Sequence, residues 1–84
     1  MRIYAIEVSS ADELKELVST VNRFSCDVNL KNGFGCIDCK SLMGVLQMGC
    51  SRDMTLEMIG EDTDCDALEN ELAAFFPINL KKAM

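Results

Sequence analysis

Eighty-four residues suffice for one small domain with a single core and leave no room for a deep substrate cavity. Nearly half of them are apolar, which argues against disorder, and no apolar run approaches the ~20 residues of a membrane helix. Fourteen acids against eight bases, a net charge of -6 without clustered cations, argue against nucleic acid or an anionic membrane as partner.

The opening Met1-Arg2-Ile3-Tyr4 lacks the long apolar stretch of a secretion signal, and five cysteines, an odd count, suit a reducing compartment better than a disulfide framework. The expected location is the cytoplasm. Tyr4, Ile6 and Val8 alternate with Ala5 and Glu7 and predict a strand with one buried face. Ser9-Ser10-Ala11-Asp12-Glu13 supplies capping residues and first-turn acids, and Leu14, Leu17, Val18 and Val21 continue at helical spacing. Together they predict a helix from about Ala11 to Asn22.

After Phe24-Ser25, Val28 and Leu30 begin a second strand. Asn32-Gly33 is a hairpin signal, because both residues tolerate the positive φ of a primed turn. A third strand follows through Cys36-Ile37-Asp38. Ser41 stands where a short helix can begin, ahead of Leu42, Val45, Leu46 and Gln47, and Gly49 ends it. Met54, Leu56 and Met58 alternate into a fourth strand. Leu68, Leu72, Phe75 and Phe76 form the apolar face of a last helix, which Pro77 stops. Lys81 and Lys82 are left as a tail. The order β-α-β-β-α-β-α predicts an α+β open-faced sandwich within a single domain over 1–84: four antiparallel strands with the longer helices on one face.

Three patterns invite a chemical reading. Cys36-Ile37-Asp38-Cys39 has the Cys-x-x-Cys spacing of a zinc or thiol-redox module. Positions three apart on a strand face opposite ways unless Cys39 lies in the turn, and no second such pair or histidine accompanies it. Burial of the cysteines as small hydrophobes is the competing reading. Asp62-x-Asp64-x-Asp66 opens like a calcium loop but lacks the required Gly and Glu at Ala67 and Ala73, so these acids are expected to serve the last helix. From Glu61 to Glu71 the chain holds six acids and no base, read as a solvated face. Finally, Leu42, Met43, Val45, Leu46 and Met48 are too many apolar residues for one side of a two-turn helix, so some must face solvent, as partner surfaces do. No nucleophile with a base and no paired carboxylates can be argued; the expectation is neither an enzyme nor a cofactor protein.

Lys40-Ser41-Leu42-Met43-Gly44-Val45-Leu46 resembles the Lys-Ser-Ile-Met-Gly-Val-Met stretch of the HPr family in Gram-positive bacteria, the small phosphocarriers of the sugar phosphotransferase system. Asn22-Arg23-Phe24-Ser25-Cys26-Asp27-Val28 and Gly60-Glu61-Asp62 extend the resemblance over roughly Leu17 to Phe76. It implies the same sandwich, and it places a phosphorylatable serine at Ser41, with Lys40, Leu42, Met43 and Leu46 as the surface for protein partners such as an HPr kinase or a transcriptional regulator. The family's Gly-Leu-His-x-Arg-Pro motif is missing. Without gaps its histidine slot falls on Ser10, its arginine slot on Asp12 and its proline slot on Glu13, in a connection shorter than the family's. Acids there would repel a phosphoryl group, so the resemblance implies a member that has lost histidine phosphotransfer and works as a regulatory or interaction module.

Overall fold

A computed structural model describes residues 1–77 and 79–83. It contains β1 (Arg2–Val8), α1 (Ala11–Val21), β2 (Asp27–Asn32), β3 (Gly35–Asp38), α2 (Leu42–Met48), β4 (Ser51–Ile59), α3 (Asp62–Phe75) and β5 (Leu80–Lys82). The strands form one antiparallel sheet in the order β3-β2-β4-β1-β5. The architecture is the predicted α+β sandwich with one correction: the sheet has five strands rather than four. Lys81 and Lys82, expected to be a tail, pair with Ala5 and Tyr4. A three-residue strand holds too few positions for alternation to show, so only the partner strand reveals it.

Alternation puts every second residue of each strand on the helix side. In one cross-strand row Leu30, Leu56 and Tyr4 lie side by side, and in the next Val28, Met58 and Arg2 do. All but Arg2 are buried, under Leu14, Leu17, Val18 and Val21 of α1, Val45 of α2, and Cys65, Leu68 and Leu72 of α3. Each fully buried leucine contributes roughly 1.5–3 kcal/mol. The opposite sheet face is mixed: Ile3 and Ile59 lie on it among small and polar residues, and the Lys31 ammonium there meets the Glu57 carboxylate at 2.8 Å.

The hairpin differs from the expected turn by one residue. Asn32 pairs with Gly35 as the last strand position, and the turn is Gly33-Phe34. Gly33 has φ 61°, and no residue other than glycine has positive φ among those described. The two-residue loop therefore needs left-handed backbone only at its first position, where glycine bears no steric cost.

Arg2 shares the buried face with Tyr4 and Ile6, and a lone guanidinium there would be costly. It is instead met by α3: Asp66 at 2.8 Å, Asp62 at 3.5 Å and Glu69 at 3.6 Å, with the arginine side chain only 17% exposed. The hydrogen bond to Asp66 holds the guanidinium pKa above its ordinary value. Tyr4 donates its phenol proton to Glu69 Oε1 at 2.6 Å, and Lys82 reaches the same oxygen at 3.6 Å. The acids of α3 are thus not merely a solvated face, because β1 and β5 bring the missing cations to them.

Burial, then the bond to Glu69, pushes the Tyr4 phenol from 10.0 up to about 12. The folded chain holds that proton more tightly than the unfolded chain. Its contribution is fully present below pH 10 and lost as pH rises through about 12. Tyr4→Phe should lower stability by about 1–2 kcal/mol at neutral pH. The difference between the two proteins should shrink above pH 10, read from urea midpoints at each pH.

Candidate functional site

The segment from β3 to α2 is anchored at three successive residues before Ser41 is reached. The Asp38 carboxylate accepts the Lys40 amide at 2.9 Å, and the Asp38 carbonyl accepts the Ser41 amide at 2.9 Å, closing a tight turn. The Cys39 amide donates to the Val28 carbonyl at 2.8 Å, and its side chain is fully buried. Lys40 then spans to the loop after α1. Its ammonium donates to the Phe24 carbonyl at 2.8 Å, and its own carbonyl accepts from the Asn22 amide side chain at 3.1 Å.

Ser41 is the N-cap of α2, as expected, and its carbonyl accepts the Val45 amide at 3.0 Å. Its hydroxyl makes no capping hydrogen bond, and the residue is exposed. A capping serine normally spends its side-chain oxygen on the helix amides; here that oxygen stays uncommitted on an immobilised backbone.

Which side of α2 faces solvent is set by Gly44. A Cβ there would lie 2.6 Å from both Cγ1 and Cδ1 of Ile37 on β3. With Gly44 against β3 and Val45 in the core, the helical repeat turns residues 42, 43 and 46 outward. Leu42, Met43 and Leu46 are exposed, Met43 by 75%, whereas Val45 is fully buried. The excess of apolar residues read from the sequence resolves into this outer row.

Phe34 escaped the sequence analysis. It is fully exposed at the second turn position, and its neighbour Gly35 lies close to Met48: a Cβ on Gly35 would be 3.4 Å from Met48 Cε. The hairpin tip therefore borders the last turn of α2. With Asn32-Gly33 as the expected turn Phe34 falls beyond it; only the observed register puts it at the tip, where it has no core to point into.

The residues in the histidine and arginine slots sit elsewhere. Ser10 caps α1 by accepting the Glu13 amide at 3.1 Å, and the Glu13 carboxylate folds back to accept the Ser9 amide at 2.9 Å and the Ser9 hydroxyl at 3.2 Å. The connection from β1 to α1 is two residues, Ser9 and Ser10. Asp12 is exposed in the first turn. The Ser10 end of α1 and the Asn22 end that touches Lys40 are separated by the helix length, about 16 Å for this element. Ser10 and Lys40 therefore lie at opposite ends of α1.

Of the cysteines in the Cys-x-x-Cys spacing, Cys36 is exposed on β3, while Cys39 occupies the following turn with its thiol in the core. Burial, then Asp38, pushes the Cys39 thiol up to about 12, opposite to what a reactive thiolate requires. Among the described residues no group of three or more ligating side chains could hold a metal ion.

The five strands and three helices form a one-sided antiparallel α+β sandwich with a strand–helix junction at Ser10 and a short second helix that exposes an apolar row. The family profile described as PTS HPr component phosphorylation site matches residues 10–77, and the chain belongs to this HPr family of the phosphotransferase system. The crystal structure of HPr-C-His from Thermoanaerobacter tengcongensis is similar with a TM-score of 0.70 at 23% identity, covering 92% of this chain and 97% of that chain, a likeness of fold. Comparison with curated proteins gave no match.

The Gly44–Ile37 contact can be tested by substitution. Gly44→Ala gains about 1 kcal/mol of helix propensity. It also forces the stiff β-branched Ile37 aside, at about 1–3 kcal/mol. The expected net is a loss of up to about 2 kcal/mol in urea denaturation. Adding Ile37→Ala should cost less than the sum of the two single changes; additive losses would mean that the contact does not seat the helix.

Proposed function

We propose that this HPr-family chain is a cytoplasmic, non-enzymatic regulatory or protein-interaction module that does not transfer phosphate through histidine. Ser41 is its phosphorylation site, and Lys40, Leu42, Met43 and Leu46 form its partner surface. The observation that carries this reading is the uncommitted Ser41 hydroxyl, exposed on an anchored N-cap beside an outer row of unburied apolar side chains.

The histidine slot supports the negative half. The chain contains no histidine, and Ser10 is spent on capping α1. Asp12 and Glu13 bring negative charge where a phosphoryl group would need cations. At Ser41 the surroundings differ: α2 carries no acid in its first turn. A phosphate there meets free backbone amides at the favourable end of the helix dipole and leaves α2 folded. Lys40, with its ammonium fixed on Phe24, gives the surface a rigid polar border rather than a mobile charge. Among the described residues no helix is long and apolar enough to cross a membrane. The resemblance supplies the partner classes, a dedicated kinase and a transcriptional regulator.

Incubation with an HPr kinase and ATP should add one phosphate by intact mass to the wild type and none to Ser41→Ala. No added mass on the wild type with a kinase active on a control HPr refutes Ser41 as the site. For the surface, Met43→Asp should weaken capture of the regulator by Ser41-phosphorylated protein at least tenfold while leaving the urea midpoint within about 0.5 kcal/mol, as for an exposed substitution.

A further inference from the structure

Cys26 and Cys65 take no part in the surface described above. Cys26 precedes β2 and Cys65 lies in the first turn of α3, yet the two side chains both flank Gly60. A Cβ on Gly60 would be 2.6 Å from Cys26 Cβ and 3.6 Å from Cys65 Sγ, so Cys26 presses against the space left by the missing side chain and Cys65 borders the same space at van der Waals distance. The residues just before them are also joined, because the Ser25 hydroxyl donates to Asp64 Oδ2 at 2.6 Å. That bond holds the two segments side by side, and the next residue along each is a cysteine. Both residues are thiols and both are buried, but they differ in access. An open cleft of about 450 Å³ is lined by Cys26 together with Asp27, Gly60 and Glu61, whereas Cys65 does not reach its wall.

We propose that Cys26 and Cys65 are a redox pair that closes to a reversible disulfide, with a small-molecule disulfide such as oxidised glutathione as the oxidant. Cys26 Sγ, having given its proton to water, attacks one sulfur of glutathione disulfide. That S–S bond breaks, one glutathione leaves as thiolate, and a mixed disulfide stands on Cys26. Cys65 Sγ, losing its own proton, attacks the Cys26 sulfur and expels the second glutathione. Two electrons pass from the two cysteines to glutathione disulfide, which becomes two thiols. Burial, then the charge of Asp64, holds the Cys26 thiol above its ordinary value, so the first step is slow at neutral pH and the pair answers sustained oxidation. The new bond would tie α3 to the loop that Lys40 already grips at Phe24, stiffening the support of Ser41. An exchange of this kind needs no metal and no further residue.

The test uses the whole reduced protein, incubated with glutathione disulfide, alkylated, and read by intact mass and peptide mapping. The expected product has lost two hydrogens, yields a linked peptide containing Cys26 and Cys65, and shows a thermal midpoint raised by several degrees that dithiothreitol returns to its starting value. Cys65→Ser should stop at the glutathione adduct on Cys26 with no rise in midpoint. Oxidised protein in which Cys26 and Cys65 both alkylate after denaturation, or in which links involve only Cys36 or Cys50, overturns the proposal. The wild-type peptide map decides the matter even where a variant fails to fold.

Discussion

The absence of a side chain at Gly44 fixes the rotation of α2. Only a glycine lets the helix approach Ile37 this closely, and the approach commits one side of seven residues to the sheet and core. Helical geometry then disposes of the rest, placing Val45 inside and Leu42, Met43 and Leu46 outside. A wider spacing would let the helix roll and bury the leucines, and the outer row would disappear. Ser41 depends on the same seat, because its exposure follows from a helix start held between the Asp38 turn and the Lys40 brace.

The remainder of the molecule shows how an acidic chain folds around few cations. Arg2, on the buried side of β1, gathers three α3 carboxylates, and Lys82 joins them from β5. Charge that would otherwise repel along one helix instead clamps three elements together. At the start of α1 the solution is local: Glu13 folds back onto Ser9 and satisfies the chain's own amide. Both arrangements consume charge internally.

Much of this was legible in the residues. Tyr4, Ile6 and Val8, then Met54, Leu56 and Met58, alternate because one sheet face is buried, and that rule acts within a few residues. Ser10 and Pro77 mark helix limits through backbone chemistry confined to a single turn. Asn32 also tolerates positive φ, which places the expected turn one residue before Gly33-Phe34, and only pairing with Gly35 settles the register. β5 was missed since Leu80-Lys81-Lys82 has no periodicity of its own. The counter-ions of α3 lie some sixty positions away in the chain, at Arg2, where no local pattern can point to them.

By itself, then, the order of residues determined seven of the eight elements, the one-sided sheet, the kinship with HPr and the missing imidazole, because propensity, alternation and composition are local or additive properties. Tertiary structure alone decided that Ser41 keeps a free hydroxyl, that Lys40 is a brace, that Cys39 is a core plug while Cys36 is not, and that Cys26 and Cys65 flank the same glycine. Those outcomes depend on which distant atoms come within a few ångströms of each other, and that is set by packing the helices onto the sheet.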